Sequence, residues 1–237
     1  MNYNWDWGIL LQSSNADLLW EGIGWTLAVT ALSWAIAVVI GCGVGTARTI
    51  GYKPARLLAG AYVELFRNVP PLVQLFLWFF VFPEIVPNSL GLWIKRDMPL
   101  PEFTTSAVAI GLFSAARVAE QVRAGIGLVR VRLLPAALAT GMRTSQAYRL
   151  VILPVALRSI IGPLTSELLI TTKMSSIGLT IGVPELTSQS QRIANDTFHG
   201  FEAYAAATGG YLVIGLVITL AMHLLATWLQ DSGMRAR

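Results

Sequence analysis

The stretch Gly22–Ala47 reads GIGWTLAVTALSWAIAVVIGCGVGTA and carries no formal charge. Wound as a helix at ~1.5 Å per residue it extends about 39 Å, more than the ~30 Å hydrocarbon core of a bilayer. A helix also satisfies its own backbone polar groups, which lipid cannot do. The run is therefore read as a membrane span. Four further stretches have a comparable length. Residues 57–82 are apolar after Arg67, and residues 104–125 are apolar until Arg117. Residues 159–183 are interrupted only by Glu167 and Lys173, and residues 203–230 carry one histidine, His223. The fold class expected is an all-α integral membrane protein of five transmembrane helices. It forms one transmembrane domain over 1–237, with a long loop at 126–158.

Only 13% of the residues are charged, against 54% hydrophobic. A soluble domain carries about 25% charged residues, so composition agrees with the membrane reading. The net charge of +4 does not point to nucleic acid, because its placement alternates along the chain. Arg48, Lys53 and Arg56 follow the first stretch, and Arg130, Arg132, Arg143, Arg149 and Arg158 lie between the third and fourth. The N-terminal segment has Asp6, Asp17 and Glu21 but no Lys or Arg. Loops 83–103 and 184–202 are acidic or balanced. Cytoplasmic loops carry the excess of Lys and Arg. The expectation is an N-terminus outside and a C-terminus, with Arg235 and Arg237, inside. The N-terminus lacks the basic region of a signal peptide and is expected to be retained; its Tyr3, Trp5 and Trp7 suit a membrane interface. Cys42 is alone and reads as a small buried apolar residue.

Chemistry within the chain is limited. A phosphate-binding loop needs Gly-x-x-x-x-Gly-Lys followed by Ser or Thr. The lysines Lys53, Lys95 and Lys173 are followed by Pro54, Arg96 and Met174. His199 and His223 lie in different segments and form no metal or triad spacing. No catalytic residue, metal site or cofactor is expected in this chain. The chain shows no internal repeat, which counts against an ion-driven secondary transporter. That reading stays as the alternative from another class.

The basic segment between the third and fourth stretches has small residues at Ala136, Ala137, Ala139 and Gly141. Leu133, Leu134 and Leu138 supply an apolar side. Gly141 suits a helix stop, since glycine accepts a left-handed cap. A short helix of this kind fits a groove on another protein; an ordinary amphipathic loop is the plainer reading.

The stretch AALATGMRTSQAYRLVILPVALR, with Ala136, Ala137, Gly141, Gln146, Arg149, Leu153, Pro154 and Arg158, resembles the "EAA" loop of ABC importer permeases. YVELFRNVPPLVQLFLWFF, EQVRAGI and KMSSIGLTIG are similar to the polar amino acid branch of that family. The resemblance runs from about Trp20 to the end of the fifth stretch. It implies the type I ABC importer permease fold. It also implies a second permease chain, identical or related, a pair of ATPase subunits that use ATP with Mg²⁺, an extracytoplasmic solute-binding protein and alternating access in the cytoplasmic (inner) membrane. ATPase coupling then falls on Ala136, Ala137, Gly141, Arg149 and Pro154. The motif's Glu is Pro135 here, which as a first-turn proline still permits the coupling helix.

Charges within a span usually face a cavity or a partner. Arg117 has Glu120 and Gln121 at helical spacings, so it either pairs along its own helix or binds a substrate carboxylate. Glu64 and Arg67 are expected to pair at a spacing of three, and Glu167 is expected to be structural. SAARVAEQVR looks most similar to the glutamate/aspartate permeases, which implies an acidic substrate held by Arg117, Lys173 and Ser175; another polar amino acid or carboxylated solute is the alternative.

Overall fold

Prolines and one left-handed glycine divide the helices. The computed structural model describes residues 3–234, with side chains through Leu229; Arg235 and Arg237 lie outside the described residues. All regular structure among the described residues is helical. A short 3₁₀ turn, Trp7–Leu11, precedes α1 (Ser13–Ala47). Then come α2 (Lys53–Asn68), α3 (Pro71–Ile85), α4 (Asn88–Arg96) and α5 (Pro101–Ala139). The chain continues through α6 (Thr144–Ser159), α7 (Ile161–Met174), a 3₁₀ segment Ser175–Ile181, α8 (Leu186–Thr197) and α9 (Gly200–Met234).

α2 stops because Val69 and Pro70 take extended backbone before Pro71, as a residue preceding proline is pushed out of the helical region. α3 and α6 each contain a widened π turn, Leu77–Val81 and Tyr148–Ile152. Each lies just before a proline, Pro83 or Pro154. A proline lacks the N–H of the regular helix and collides with the carbonyl four residues back; a π turn relieves the collision.

α1 and α9 are long and apolar enough to cross a membrane, and the count rises to four if α2 with α3 and α6 with Ile161–Ile181 are each one bent span. α5 is 39 residues long but carries Arg117, Glu120 and Arg123 in its apolar part. The chain is thus a membrane-associated all-α protein with two to four such helices.

The residues form two compact units. One unit comprises residues up to Ser33, Pro70–Gly111 and Ile170–Val217. Its core gathers Val29, Leu75, Ala109, Ile110, Ile181 and Val183. Glu185, fully buried, caps the start of α8 by accepting from the Thr187 and Ser188 amides, and Tyr211 donates its hydroxyl to the same carboxylate at 2.6 Å. At the N-terminus Tyr3 donates to Glu202, and Trp5 stacks on Trp7.

The other unit comprises Trp34–Val69, Leu112–Leu169 and the chain from Ile218. Its core is built on Ala37, Ala115, Val118, Val122, Ile126 and Ile152. Gly41 and Gly45 let α1 lie against α5. A Cβ at Gly45 would sit 2.6 Å from the Ala119 carbonyl oxygen, and one at Gly41 would sit 2.7 Å from Val118. Small residues four apart permit this approach where lipid supplies no hydrophobic drive between helices.

Candidate functional site

The segment SAARVAEQV on α5 places Ala115, Ala116, Val118 and Ala119 fully inside the second unit, and Arg117 emerges between them with 35% of its side chain exposed. Its partner is Glu167 on α7, which is 6% exposed. Nε donates to Oε2 at 2.6 Å and one Nη donates to Oε1 at 3.1 Å. This side-on, two-pronged arrangement is the strong form of an ion pair. The guanidinium carbon also lies 6.0 Å from the Phe113 ring centroid, within reach of a cation–π contact. The second Nη has no protein acceptor among the described residues. The pairing of Arg117 along its own helix does not hold: Glu120 is not its partner.

Glu120 instead collects three other arginines. Arg48 at the end of α1 and Arg123 one turn along α5 donate to it, and Arg67 at the end of α2 approaches within 3.8 Å. The expected Glu64–Arg67 pair is therefore not formed. Arg67 reaches another helix, and Glu64 has no partner among the described residues. Glu167, expected to be structural, is the counter-charge of Arg117.

Lys173, at the end of α7 in the first unit, is exposed, with no partner for its ammonium among the described residues. Ser175 is fully buried and donates its hydroxyl to the Thr172 carbonyl at 2.8 Å. That bond occupies the donor a ligand would need.

The loop expected to hold a separate short helix is organised differently. α5 continues unbroken to Ala139, so Pro135 lies within its last turns and not at a helix start. Removal of one backbone bond so near the end leaves the helix intact. Gly141 is left-handed, with φ of 84°, and the Met142 amide closes back on the Ala137 carbonyl. This is the glycine stop expected from the sequence. Ala136, Gly141, Arg149 and Pro154 are exposed, whereas Ala137 is buried. Beside them a cleft of about 420 Å³ is lined by Thr46, Arg130, Ser145, Tyr148, Arg149 and Leu153. Arg130 and Tyr148 both donate to the Thr49 carbonyl, which fixes the turn after α1.

Residues 37–231 match the family described as binding-protein-dependent transport system inner membrane component. The chain belongs to this family. Among relatives, it is 40% identical over 235 residues to the glutamate/aspartate import permease protein GltJ of Escherichia coli (strain K12), covering 94% of each chain. It is 33% identical to the glutamine transport system permease protein GlnP of the same organism, covering 92% of this chain and 94% of that one. The crystal structure of an amino acid ABC transporter with histidines superposes with a TM-score of 0.78 at 31% identity, over 96% of this chain and 99% of that one. The chain is thus a permease subunit of the ABC importers for amino acids and polar solutes, and it is similar to a glutamate/aspartate permease. Membership of that family makes it a transport subunit and not a catalyst, and the described residues hold no cluster of three or more metal-ligating side chains.

Sequence reasoning missed Glu167 as the partner of Arg117, and Arg48 as the main partner of Glu120. The available signal was that Glu120 and Glu167 each lie in an otherwise apolar stretch, so each acid requires a partner. Spacing along one helix does not say which helix supplies it.

Proposed function

We propose that this chain forms the pathway of an importer that carries glutamate and aspartate through the inner membrane. The single observation behind it is the Arg117–Glu167 pair in a chain 40% identical to a glutamate/aspartate permease. A guanidinium beside a carboxylate complements an amino acid, whose carboxylate meets the first and whose ammonium meets the second. The open Nη of Arg117 is the point of attachment for the substrate carboxylate, and Lys173 adds positive charge along the pathway. Ser175, its hydroxyl held by the Thr172 carbonyl, supports the start of the Ser175–Ile181 segment beside the pathway.

The assembly contains two permease chains, two ATPase subunits and an extracytoplasmic binding protein. Five spans cross the membrane at 22–47, 57–82, 104–125, 159–183 and 203–230. The N-terminus is outside and the 126–158 region inside. There the exposed end of α5, with Ala136 and Gly141, and the nearby Arg149 and Pro154 meet the ATPase; Ala137 supports that surface from beneath. ATP hydrolysis in the partner drives alternating access.

The test is uptake of radiolabelled glutamate and glutamine into proteoliposomes holding the assembled complex and its binding protein. Arg117→Ala is expected to lower glutamate uptake ten- to hundred-fold, the equivalent of about 1.5–3 kcal/mol for a charged hydrogen bond. Glutamine uptake should fall less. Unchanged glutamate uptake with a normal amount of assembled complex would remove Arg117 from the pathway.

A further inference from the structure

We infer that the arginine cluster around Glu120 is a binding site for the phosphate headgroup of an anionic phospholipid. Three guanidiniums, from Arg48, Arg67 and Arg123, face one carboxylate, so the cluster keeps two surplus positive charges. Arg48 is 17% exposed and is spent on Glu120. Arg67 and Arg123 are 52% and 46% exposed and are not spent. Arg67 makes only the 3.8 Å approach to Glu120, with no hydrogen bond, and Arg123 uses Nε alone. Their remaining N–H donors form a two-armed anion receptor.

Depth selects lipid as the source of the anion. This rests on the spans proposed above: Arg48 is the first charge after the uncharged run Gly22–Ala47, so on that reading the cluster sits where α1 leaves the hydrocarbon. That is the level of headgroup phosphates. α2 supplies the matching apolar surface. Its buried side holds Ala59 and Val63, while Leu57, Ala61 and Leu65, spaced four apart, form an exposed strip. Lys53, Glu64 and Arg67 border that strip on the same helix. An exposed apolar strip edged by two cations and one acid lets acyl chains lie along α2 while the basic side chains reach toward headgroups, and basic pockets between helices favour anionic headgroups.

The experiment uses the purified permease–ATPase complex in mixed micelles of phosphatidylglycerol and phosphatidylcholine, with retained lipid read by native mass spectrometry. The wild type is expected to retain phosphatidylglycerol preferentially. Arg67→Gln with Arg123→Gln should lower that preference roughly thirty-fold, from about 1 kcal/mol per basic residue near the surface. Glu120 keeps Arg48 in this variant, so assembly should persist. Arg67→Lys with Arg123→Lys should retain most of the preference and serves if the glutamine variant fails to assemble. Three results would each overturn the proposal. The first is no preference in the wild type, or an unchanged one in the glutamine variant. The second is displacement of the lipid by excess inorganic phosphate, which makes the ligand a soluble anion. The third is a photo-crosslinker at position 67 that labels a protein chain and not lipid, which makes the cluster a subunit contact.

Discussion

Replacing Arg117 by alanine removes the counter-charge of Glu167, which is 6% exposed and loses both bonds of 2.6 and 3.1 Å. Breaking a buried ion pair by removing one partner costs about 3–5 kcal/mol. Arg117 keeps 35% exposure, so the pair is partly screened and the expected loss for the assembled complex is about 2–3 kcal/mol. Glu167→Gln keeps the shape and removes the charge; it should cost about 1 kcal/mol, because Arg117 can turn outward. In Arg117→Ala with Glu167→Gln no charge is left stranded. The double variant should lie within about 1 kcal/mol of wild type, a coupling of roughly 2 kcal/mol. The companion cycle with Glu120→Gln should be additive, since Glu120 belongs to Arg48, Arg67 and Arg123. The assay is the unfolding free energy of the complex in mixed micelles, followed by glutamate uptake in proteoliposomes. A coupling below about 0.5 kcal/mol with Glu167, the scatter of independent sites, would refute the pair as a stabilising contact. Full recovery of uptake in the double variant would confine Arg117 to a structural role.

Gly45→Leu should destabilise the complex by about 1–3 kcal/mol through overpacking against Ala119, while Gly43→Ala, inside α1 where a Cβ meets nothing, should stabilise it by about 0.5–1 kcal/mol in the same unfolding measurement. Gly141→Ala should cost about 1 kcal/mol through its left-handed backbone, and Gly141→Asp should cut transport-coupled ATPase activity with normal membrane insertion. For the orientation, Asn195→Cys should label from outside and Ser145→Cys only from inside. The outer N-terminal probe belongs at Ser14, because Asn15 is buried and bonded to the Ile9 carbonyl.

The helices were legible where physics acts along one chain. The uncharged run Gly22–Ala47 lies within α1, and Gly141 ends its helix as a left-handed cap. Both follow from backbone satisfaction and steric allowance, which need no neighbour. The break at Val69–Pro70–Pro71 and the π turns before Pro83 and Pro154 belong to the same class. Pro135 was misread because its motif position suggested a helix start. What decides its effect is the length of helix already formed before it, and α5 has 34 residues from Pro101 to Leu134 behind it.

Charge pairing was the illegible part, and magnitudes explain why. A pair at helical spacing is worth about 0.2–0.5 kcal/mol, too little to hold Arg117 on Glu120 or Arg67 on Glu64 when a better-buried partner lies across a helix contact. Burial raises the stakes, because an unpaired carboxylate inside the unit costs several kcal/mol. The arrangement that satisfies both acids therefore wins, and it sends every arginine but Arg123 to another helix. α5 is the element common to both solutions: Glu120 ties it to α1 and α2, and Arg117 ties it to α7. The same helix runs on without a break to Ala139, roughly 33 Å beyond Arg117. A displacement at its exposed end thus reaches the Arg117–Glu167 pair through one continuous helix, with no intervening loop to absorb it.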